Sequence, residues 1–429
     1  MLGSAVQQII TLTDGVFLFH SSELDFAAIG VVSVFYLMIA AIGYNFSKGG
    51  QIMIARRAGE DNSVKIGEIF QAMLFFELSL AIVLFLVMQF GAYYIFASNV
   101  DSDVIFYKCM DYLYYRSFGV FFSFVGLSFI SLYTGIARTH FIIVDSIILA
   151  VANVVLNYGL IFGNFGLPEM GIAGAGLAST LAEVIAFIVF LIYVIWDKQN
   201  KIYKLTSIPK KIDFDSIRTQ IRISLPVVLQ AIVGFGSWFV FFGLIENLGE
   251  RPLAITNLVR MVYLALSIPT WGFASGANTM VSNLIGSNER KSIIKVLWKI
   301  SKICLLWTLV LALPIVLFPE WLLYPLFGKE DMSLIIESKP ILYVMSIILL
   351  LFSVGGVFFN GLAATGATWY GLAIQSIAAL VYIVYIFVII KYVNGNLVWA
   401  WASEIFYWIL IFVASYLFLK SGKWWRLKV

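Results

Sequence analysis

The 429-residue chain contains little cysteine, histidine or charge, and each shortage excludes a class of protein. Its two cysteines, Cys109 and Cys304, lie far apart and suggest no disulfide framework. Two histidines without an HExxH motif are too few for a histidine-based metal site. No GxxxxGK[ST] motif occurs, which excludes an ATP-binding P-loop. Charged residues make up 12% of the chain, and that share is too small to cover the surface of a soluble protein of this size.

Hydrophobic residues supply 61% of the chain, and the mean hydropathy is +0.95. They come in blocks of about 20 residues, long enough to cross the hydrocarbon core of a bilayer. We predict an all-α polytopic membrane protein with twelve transmembrane helices in two pseudo-symmetric six-helix bundles. The predicted spans are 1–20, 25–57, 64–92, 106–134, 141–163, 170–196, 214–246, 252–285, 292–317, 337–364, 367–391 and 397–419.

Basic residues mark one side of the predicted bundle, with nineteen near one set of span ends and five near the other. Because positive loops stay in the cytoplasm, both termini are predicted to be cytoplasmic, in a cell (inner) membrane. The predicted regions are an N-terminal six-helix lobe (1–197), a basic cytoplasmic linker (198–213), a C-terminal six-helix lobe (214–419) and a basic cytoplasmic tail (420–429).

The two halves of the chain repeat. GGQIMIARRAG (49–59) aligns with GANTMVSNLIG (276–286), and two glycines and a methionine coincide. Six spans per half is an even number, so both halves insert the same way up, as in transporters built from parallel repeats. The same alignment sets Ser4 opposite Pro226 and predicts a shortened amino-terminal segment.

A glycine-rich run, GIAGAG (171–176), superficially resembles a phosphate-binding loop. It follows no predicted strand, however, and it begins a membrane span. We interpret its small residues as a surface on which helices approach closely.

Span 1 carries an aspartate, Asp14. A charged side chain at mid-bilayer costs about 2.5–3.5 kcal/mol on insertion scales, so its presence points to a functional or structural role. Asn153 and Asn157 are four residues apart on span 5 and share a face. Asp14 and Asn157 both lie about six residues from the outer ends of their spans, which places them at one depth, about 9 Å down. The oxygen-rich cluster suits a proton, a hard cation or a cationic solute. The alternative is a hydrogen-bond network that only holds spans 1 and 5 together.

Span 6 carries three further polar residues, Ser179, Thr180 and Glu183. Ser179 and Glu183 are four residues apart and share a face of the helix. Glu183 is interpreted equally as a second titrating group, a partner of the Asp14 cluster or a protonated helix-packing carboxyl.

Matching depths predict one ion pair and suggest a second, whose members, like Thr180 and Glu183, are alternatively secondary residues of the binding site. Lys48 on span 2 and Glu77 on span 3 each lie about ten residues from the cytoplasmic boundary, which favours a structural ion pair. Arg260 on span 8 and Glu404 on span 12 each lie about eight residues below the outer face, and a functional role is an equal alternative to pairing.

Four segments resemble a known family: TDGVFLFHSSELDFAAIG (13–30), GIARTHF (135–141), ANVVLNYGLIFGNFGLPEMGIAGAGLAST (152–180) and SGANTMVSNLIGSNERKS (275–292). On these residues the chain resembles the multidrug and toxin extrusion (MATE) family over essentially its whole length. The resemblance implies a V-shaped fold of two six-helix bundles. It also implies export of cationic, amphiphilic compounds against an inward flow of protons or sodium.

The resemblance assigns substrate and cation binding to particular residues. Asp14 corresponds to the family's acidic residue on span 1, and Ser179 corresponds to its hydroxyl residue on span 6. Asn153 and Asn157 correspond to the family's pair of polar residues on span 5. Asn157 departs from a branch of the family that often has an aspartate there, so one acid is missing. Sodium could bind at Asp14; no other metal and no cofactor is expected.

The predicted function is a secondary active multidrug efflux antiporter, coupled to protons or sodium and working by alternating access. We expect no enzymatic activity, a monomer in the lipid bilayer, small cationic or amphiphilic solutes as partners, and no nucleic acid. The alternative is a lipid-linked oligosaccharide or polysaccharide flippase of the same superfamily. A flippase should have a cationic central cavity for a pyrophosphate, and only Arg260 and Arg116 fit that description.

Overall fold

A computed structural model describes residues 10, 13–98, 100, 102–205, 213–324, 332–393 and 395–427. Parts of the predicted first span and of the linker and the end of the tail lie outside these residues. The described residues form helices and connecting turns without a β-strand. The first span is represented by a helical segment at 13–19, named α1.

Eleven long helices follow α1 among the described residues, and each is long and apolar enough to cross a membrane. They begin and end within about five residues of the predicted spans, because hydropathy reports span length well. They are α2 (Glu23–Gly59), α3 (Ser63–Ala97), α4 (Asp103–Gly135), α5 (His140–Phe162), α6 (Gly171–Trp196), α7 (Phe214–Glu246), α8 (Glu250–Gly286), α9 (Ile293–Leu317), α10 (Met332–Ala364), α11 (Thr368–Tyr392) and α12 (Leu397–Lys420).

Local sequence determines where several of these helices begin and end. The side chains of Asn62 and Asn396 accept hydrogen bonds from backbone N–H groups three residues later, at 3.1 Å and 3.2 Å, and so cap α3 and α12. Helix α5 ends at Phe162 and is capped by Gly163, whose φ of 72° is a left-handed conformation that glycine adopts without steric cost. Inside a bilayer the remaining backbone groups must pair within each helix, which continuous helices achieve.

The chain divides into two compact units between Ser224 and Leu225, within α7 and close to Pro226. In the first unit, α4 packs against α2, α3 and α6, and α5 packs against α6. In the second unit, α10 packs against α8, α9 and α12, and α11 packs against α12. Each of these contacts in the first unit has a counterpart six helices later, so the main packing pattern of the two halves is the same.

The GIAGAG run lies where α6 meets its neighbours. A Cβ atom on Gly174 would lie 2.4 Å from the backbone oxygen of Leu160 on α5. A Cβ atom on Gly176 would lie 2.5 Å from the backbone oxygen of Tyr112 on α4. The glycines therefore allow close backbone approach, as the interpretation of small packing residues requires. These contacts also set the position of α6 against α4 and α5, and so the positions of Ser179 and Glu183, which follow on the same helix.

Candidate functional site

Asp14 on α1 is 1% exposed, and side chains from α5 and α6 donate hydrogen bonds to its carboxylate. Asn157 Nδ2 lies 2.7 Å from Oδ1, and Asn153 Nδ2 lies 3.3 Å from the same oxygen. Ser179 Oγ lies 2.9 Å from Oδ2 and 3.2 Å from Oδ1. The four residues predicted as the binding site are therefore brought together, and α1, α5 and α6 converge on one carboxylate.

The donors around Asp14 are also bonded to one another. Asn153 Nδ2 donates to Ser179 Oγ at 3.0 Å, and Asn157 Nδ2 donates to Asn153 Oδ1 at 3.3 Å. The side chain of Asn157 is fully buried, and its Oδ1 has no hydrogen-bond partner. The cluster therefore supplies several N–H and O–H donors to an ionised Asp14 and keeps one amide oxygen available as an acceptor.

Tyr112 on α4 is a member of the cluster that the sequence reasoning missed. It is 3% exposed, and its hydroxyl lies 3.4 Å from Asp14 Oδ2. A tyrosine within an aromatic-rich span has no spacing signal that separates it from ordinary packing residues. With Tyr112 included, donors from α4, α5 and α6 surround a carboxylate on α1.

One turn along α6 from Ser179, Glu183 forms an ion pair with Arg116 on α4. Arg116 Nη1 and Nη2 lie 2.8 Å and 2.7 Å from the two carboxylate oxygens, and the residues are 1% and 3% exposed. The guanidinium also lies 3.9 Å from the centroid of the Tyr36 ring. Thr180 donates to the backbone oxygen of Tyr115 at 2.9 Å. Glu183 and Thr180 thus connect α6 to α4 beside the Asp14 cluster, and sequence reasoning did not predict this pair.

The predicted ion pair between Lys48 and Glu77 is wrong. Glu77 is fully buried, and neither of its carboxylate oxygens has a hydrogen-bond partner. The ammonium of Lys48 lies instead 5.3 Å from the centroid of the Tyr44 ring, one turn earlier on α2. Depth alone suggested the pair, but depth does not report the direction in which each side chain leaves its helix.

The predicted pair of Arg260 and Glu404 is also wrong. Glu404 accepts a hydrogen bond from Trp238 Nε1 at 2.8 Å. The guanidinium of Arg260 lies 5.0 Å from the centroid of the Phe242 ring, and its Nε has no hydrogen-bond partner. Each charged group therefore contacts an aromatic residue of α7 instead of the opposite charge.

Within the described residues, no group of three or more His, Cys, Asp or Glu side chains is placed to hold a metal ion. At the Asp14 cluster, the oxygens that could face a cation are the Asp14 carboxylate, the Ser179 hydroxyl and the two carboxamide oxygens. Both amide nitrogens now donate to Asp14 Oδ1, so a metal ion bound at that oxygen would require the carboxamides to turn away from it. A proton on Asp14 requires no such movement.

Eleven long apolar helices among the described residues, a repeated packing pattern and a buried polar cluster define the class: a multi-pass α-helical membrane protein built by duplication. The family model described as MatE matches residues 1–159 and 226–388. The chain therefore belongs to the MatE family, and the resemblance inferred from its sequence motifs is confirmed.

Two curated relatives illustrate the distance within this family. The chain is 25% identical over 273 residues to a probable multidrug resistance protein NorM of Thermotoga maritima, covering 63% of this chain and 58% of the relative. It is 23% identical over 296 residues to a protein of the same name from Idiomarina loihiensis, covering 66% and 64%. The matches thus span less than two thirds of either relative's length.

Solved structures extend the likeness in fold to almost the whole chain. A crystal structure of MATE in the straight conformation has a TM-score of 0.87 at 17% identity, and the match covers 99% of this chain and 94% of the solved chain. A crystal structure of MATE in the bent conformation has a TM-score of 0.85 at 18% identity, and covers 99% and 92%. The predicted fold class, an all-α membrane protein of the MATE type, is confirmed.

Proposed function

We propose that the protein is a secondary active multidrug efflux antiporter, which exports cationic amphiphilic compounds in exchange for protons or sodium. The observation that carries the proposal is the buried carboxylate of Asp14, surrounded by donors from Asn153, Asn157, Ser179 and Tyr112. Membership of the MatE family and relatives named as probable multidrug resistance proteins support it. We propose a transport role and no enzymatic one.

Asp14 binds its two partners in alternation in this proposal. As an anion it attracts a cationic solute, whose charge replaces part of the stabilisation that the surrounding donors provide. A proton or sodium ion arriving from outside neutralises Asp14, and the solute then loses its counter-charge and leaves. Return of the site to the cytoplasmic side discharges the coupling ion. The two species never need to occupy the site together.

The stoichiometry decides which gradient drives export. One proton entering for one monovalent cation leaving moves no net charge across the membrane. The membrane potential, worth about 2.3 kcal/mol per charge per 100 mV, then contributes nothing. The pH gradient alone supplies the driving force, at about 1.4 kcal/mol per pH unit. A tenfold concentration of a monovalent drug thus requires a gradient of about one unit.

We further propose that the protein acts as a monomer in the inner membrane, with both termini in the cytoplasm. The charge distribution supports this orientation, with nineteen basic residues near the cytoplasmic span ends and five near the others. Solute and ion then bind alternately from the two sides of the membrane as the site changes its access.

The flippase alternative receives less support from the charges inside the first unit. A pyrophosphate would need cationic groups free to bind it. Arg116 is 1% exposed and bonded through two nitrogens to Glu183, so its charge is already neutralised. Arg260 lies against the ring of Phe242, in the second unit.

The test is transport in vesicles that contain the purified protein and the fluorescent cation ethidium. Proton and sodium gradients are imposed separately, and the membrane potential is clamped with potassium and valinomycin. Ethidium accumulation driven by one of the two gradients is expected. If neither gradient moves ethidium or any of a panel of amphiphilic cations, antiport is refuted.

A further inference from the structure

A small cavity in the first unit lies between α4, α5 and α6, and its volume is about 60 Å³. Three phenylalanines, Phe122, Phe187 and Phe190, form much of its wall. The ionisable side chains among its described lining residues are Asp145 and Glu183. Two carboxylates therefore face one small cavity, together with the side chains of Ser123 and Ser146.

The two acids differ in what they are bonded to. Both oxygens of Glu183 accept hydrogen bonds from the guanidinium of Arg116, so that pair is neutral as a unit. Asp145 is 4% exposed, and its Oδ1 is buried without a hydrogen-bond partner. A buried carboxylate oxygen without a donor is costly, typically about 1–3 kcal/mol or more, and it needs an explanation. Asp145 is therefore the group in this cavity that remains open to a ligand.

The size of the cavity limits what that ligand can be. A water molecule needs about 10–15 Å³ of such a cavity, so the space suits a few waters. It is far too small for an amphiphilic drug, because sites for drug-sized ligands occupy about 300–1,000 Å³. A bare sodium ion would need several oxygen ligands, and Glu183 is already committed to Arg116. A proton carried by water fits both the volume and the unpartnered oxygen.

The position of Asp145 relates the cavity to the Asp14 cluster. Asp145, Leu149, Asn153 and Asn157 follow at intervals of four along α5, so they lie along one face. The eight residues from Asp145 to Asn153 span about 12 Å, and the five from His140 to Asp145 span about 7.5 Å. Asp145 therefore lies between the cluster and the end of α5 that is predicted to be cytoplasmic.

We propose that Asp145 is a second proton-exchange carboxylate, through which protons leave the Asp14 site for the cytoplasm. The inference rests on the proposed function and selects the proton as the coupling ion. Asp14 gives up its proton to water and becomes a carboxylate; Asp145 accepts a proton from water in the cavity and becomes a carboxylic acid. Asp145 then passes the proton to cytoplasmic water, which restores its carboxylate. No electrons move, and one proton is transferred in each step.

The test compares Asp145→Asn with the wild-type protein in vesicles that contain a trapped pH-sensitive dye. Binding of ethidium is measured separately in detergent. Because Asp145 lies outside the drug site, binding should stay within about twofold of wild type. Proton flux coupled to ethidium should fall by about tenfold or more, as expected when a proton-transfer group is lost. Asp145→Glu should restore most of the flux, with a displaced pH profile.

Asp215→Asn is the matched control, since it removes an exposed carboxylate near the same predicted membrane face and should leave the flux unchanged. Wild-type proton flux in Asp145→Asn would overturn the inference, as would loss of ethidium binding or coupling to sodium alone. If Asp145→Asn does not fold, an Asp145→Glu profile identical to wild type overturns it. If wild-type protein exports no cation in either gradient, the proposed function itself fails.

Discussion

The ion pair of Arg116 and Glu183 gives the sharpest prediction about stability. Arg116→Met removes the partner of a carboxylate that is 3% exposed. Two charges about 4 Å apart at an effective dielectric constant of about 20 interact by about 4 kcal/mol. Breaking a buried pair costs about 3–5 kcal/mol, because one charge stays buried without compensation. We expect Arg116→Met to lower the free energy of unfolding by that amount.

The double variant Arg116→Met/Glu183→Met separates the cost of an orphaned charge from the value of the pair itself. With both charges removed, most of the lost stability should return, to within about 1 kcal/mol of wild type. The assay is reversible unfolding in mixed detergent and SDS micelles, followed by circular dichroism.

Arg57→Met is the matched control. Arg57 pairs with Glu60 at 2.6 Å, but the two side chains are 27% and 33% exposed. An exposed pair should contribute less than about 1 kcal/mol. If Arg116→Met costs no more than Arg57→Met, or if the double variant is as unstable as the single one, the reasoning is refuted.

Three further predictions concern packing, pH and buried charge. A Cβ on Gly119 would lie 2.3 Å from Arg116 Nη1, whereas a Cβ on Gly126 would face open space. In the same unfolding assay, Gly119→Ala should therefore lower the free energy of unfolding by about 1–3 kcal/mol, and Gly126→Ala should be neutral or stabilising. Burial raises the pKa of Asp213, but Lys65 and Ser216 together lower it to about 2. The stability that ionised Asp213 gives the fold is therefore complete above about pH 5 and is lost as pH falls toward about 2. The destabilisation caused by Lys65→Met should shrink over the same range, as measured by unfolding midpoints across pH. Glu77→Leu should leave stability unchanged or raise it by about 1 kcal/mol, because both carboxylate oxygens lack partners; a clear loss in the same assay would indicate a missed partner.

The spans could be predicted from the sequence because hydrophobic length is a local property. The bilayer demands about 20 apolar residues and internal backbone pairing, and both requirements can be read along the chain. Helix α8, for example, was expected at 252–285 and is found at Glu250–Gly286. The largest differences are five residues: α10 begins at Met332 instead of 337, and α3 ends at Ala97 instead of 92.

The candidate site could be predicted in part, for a physical reason. Asn153 and Asn157 share a face by helical spacing, and their depth matches that of Asp14, so local geometry was sufficient to group them. The pairing of Arg116 with Glu183 depends on how α4 and α6 rotate against each other. Neither spacing nor depth determines that rotation, which explains why this pair was missed.

The same limit explains the wrong pairing of Lys48 with Glu77, two residues at equal depth whose side chains leave their helices in other directions. The close approach of Gly176 to Tyr112 orients α6 against α4, and that contact emerges only when the helices are packed.

The most direct test of the central claim is competition between protons and a cationic drug for Asp14. Ethidium binding and proton release are measured together on purified wild-type protein and on Asp14→Asn, with Asp103→Asn as the control for loss of an exposed carboxylate in the same unit. Wild type and Asp103→Asn should release a proton on binding ethidium, and acidification should weaken binding. Asp14→Asn should bind weakly, release no proton and show no pH dependence. Proton release by Asp14→Asn at the wild-type level would contradict the account.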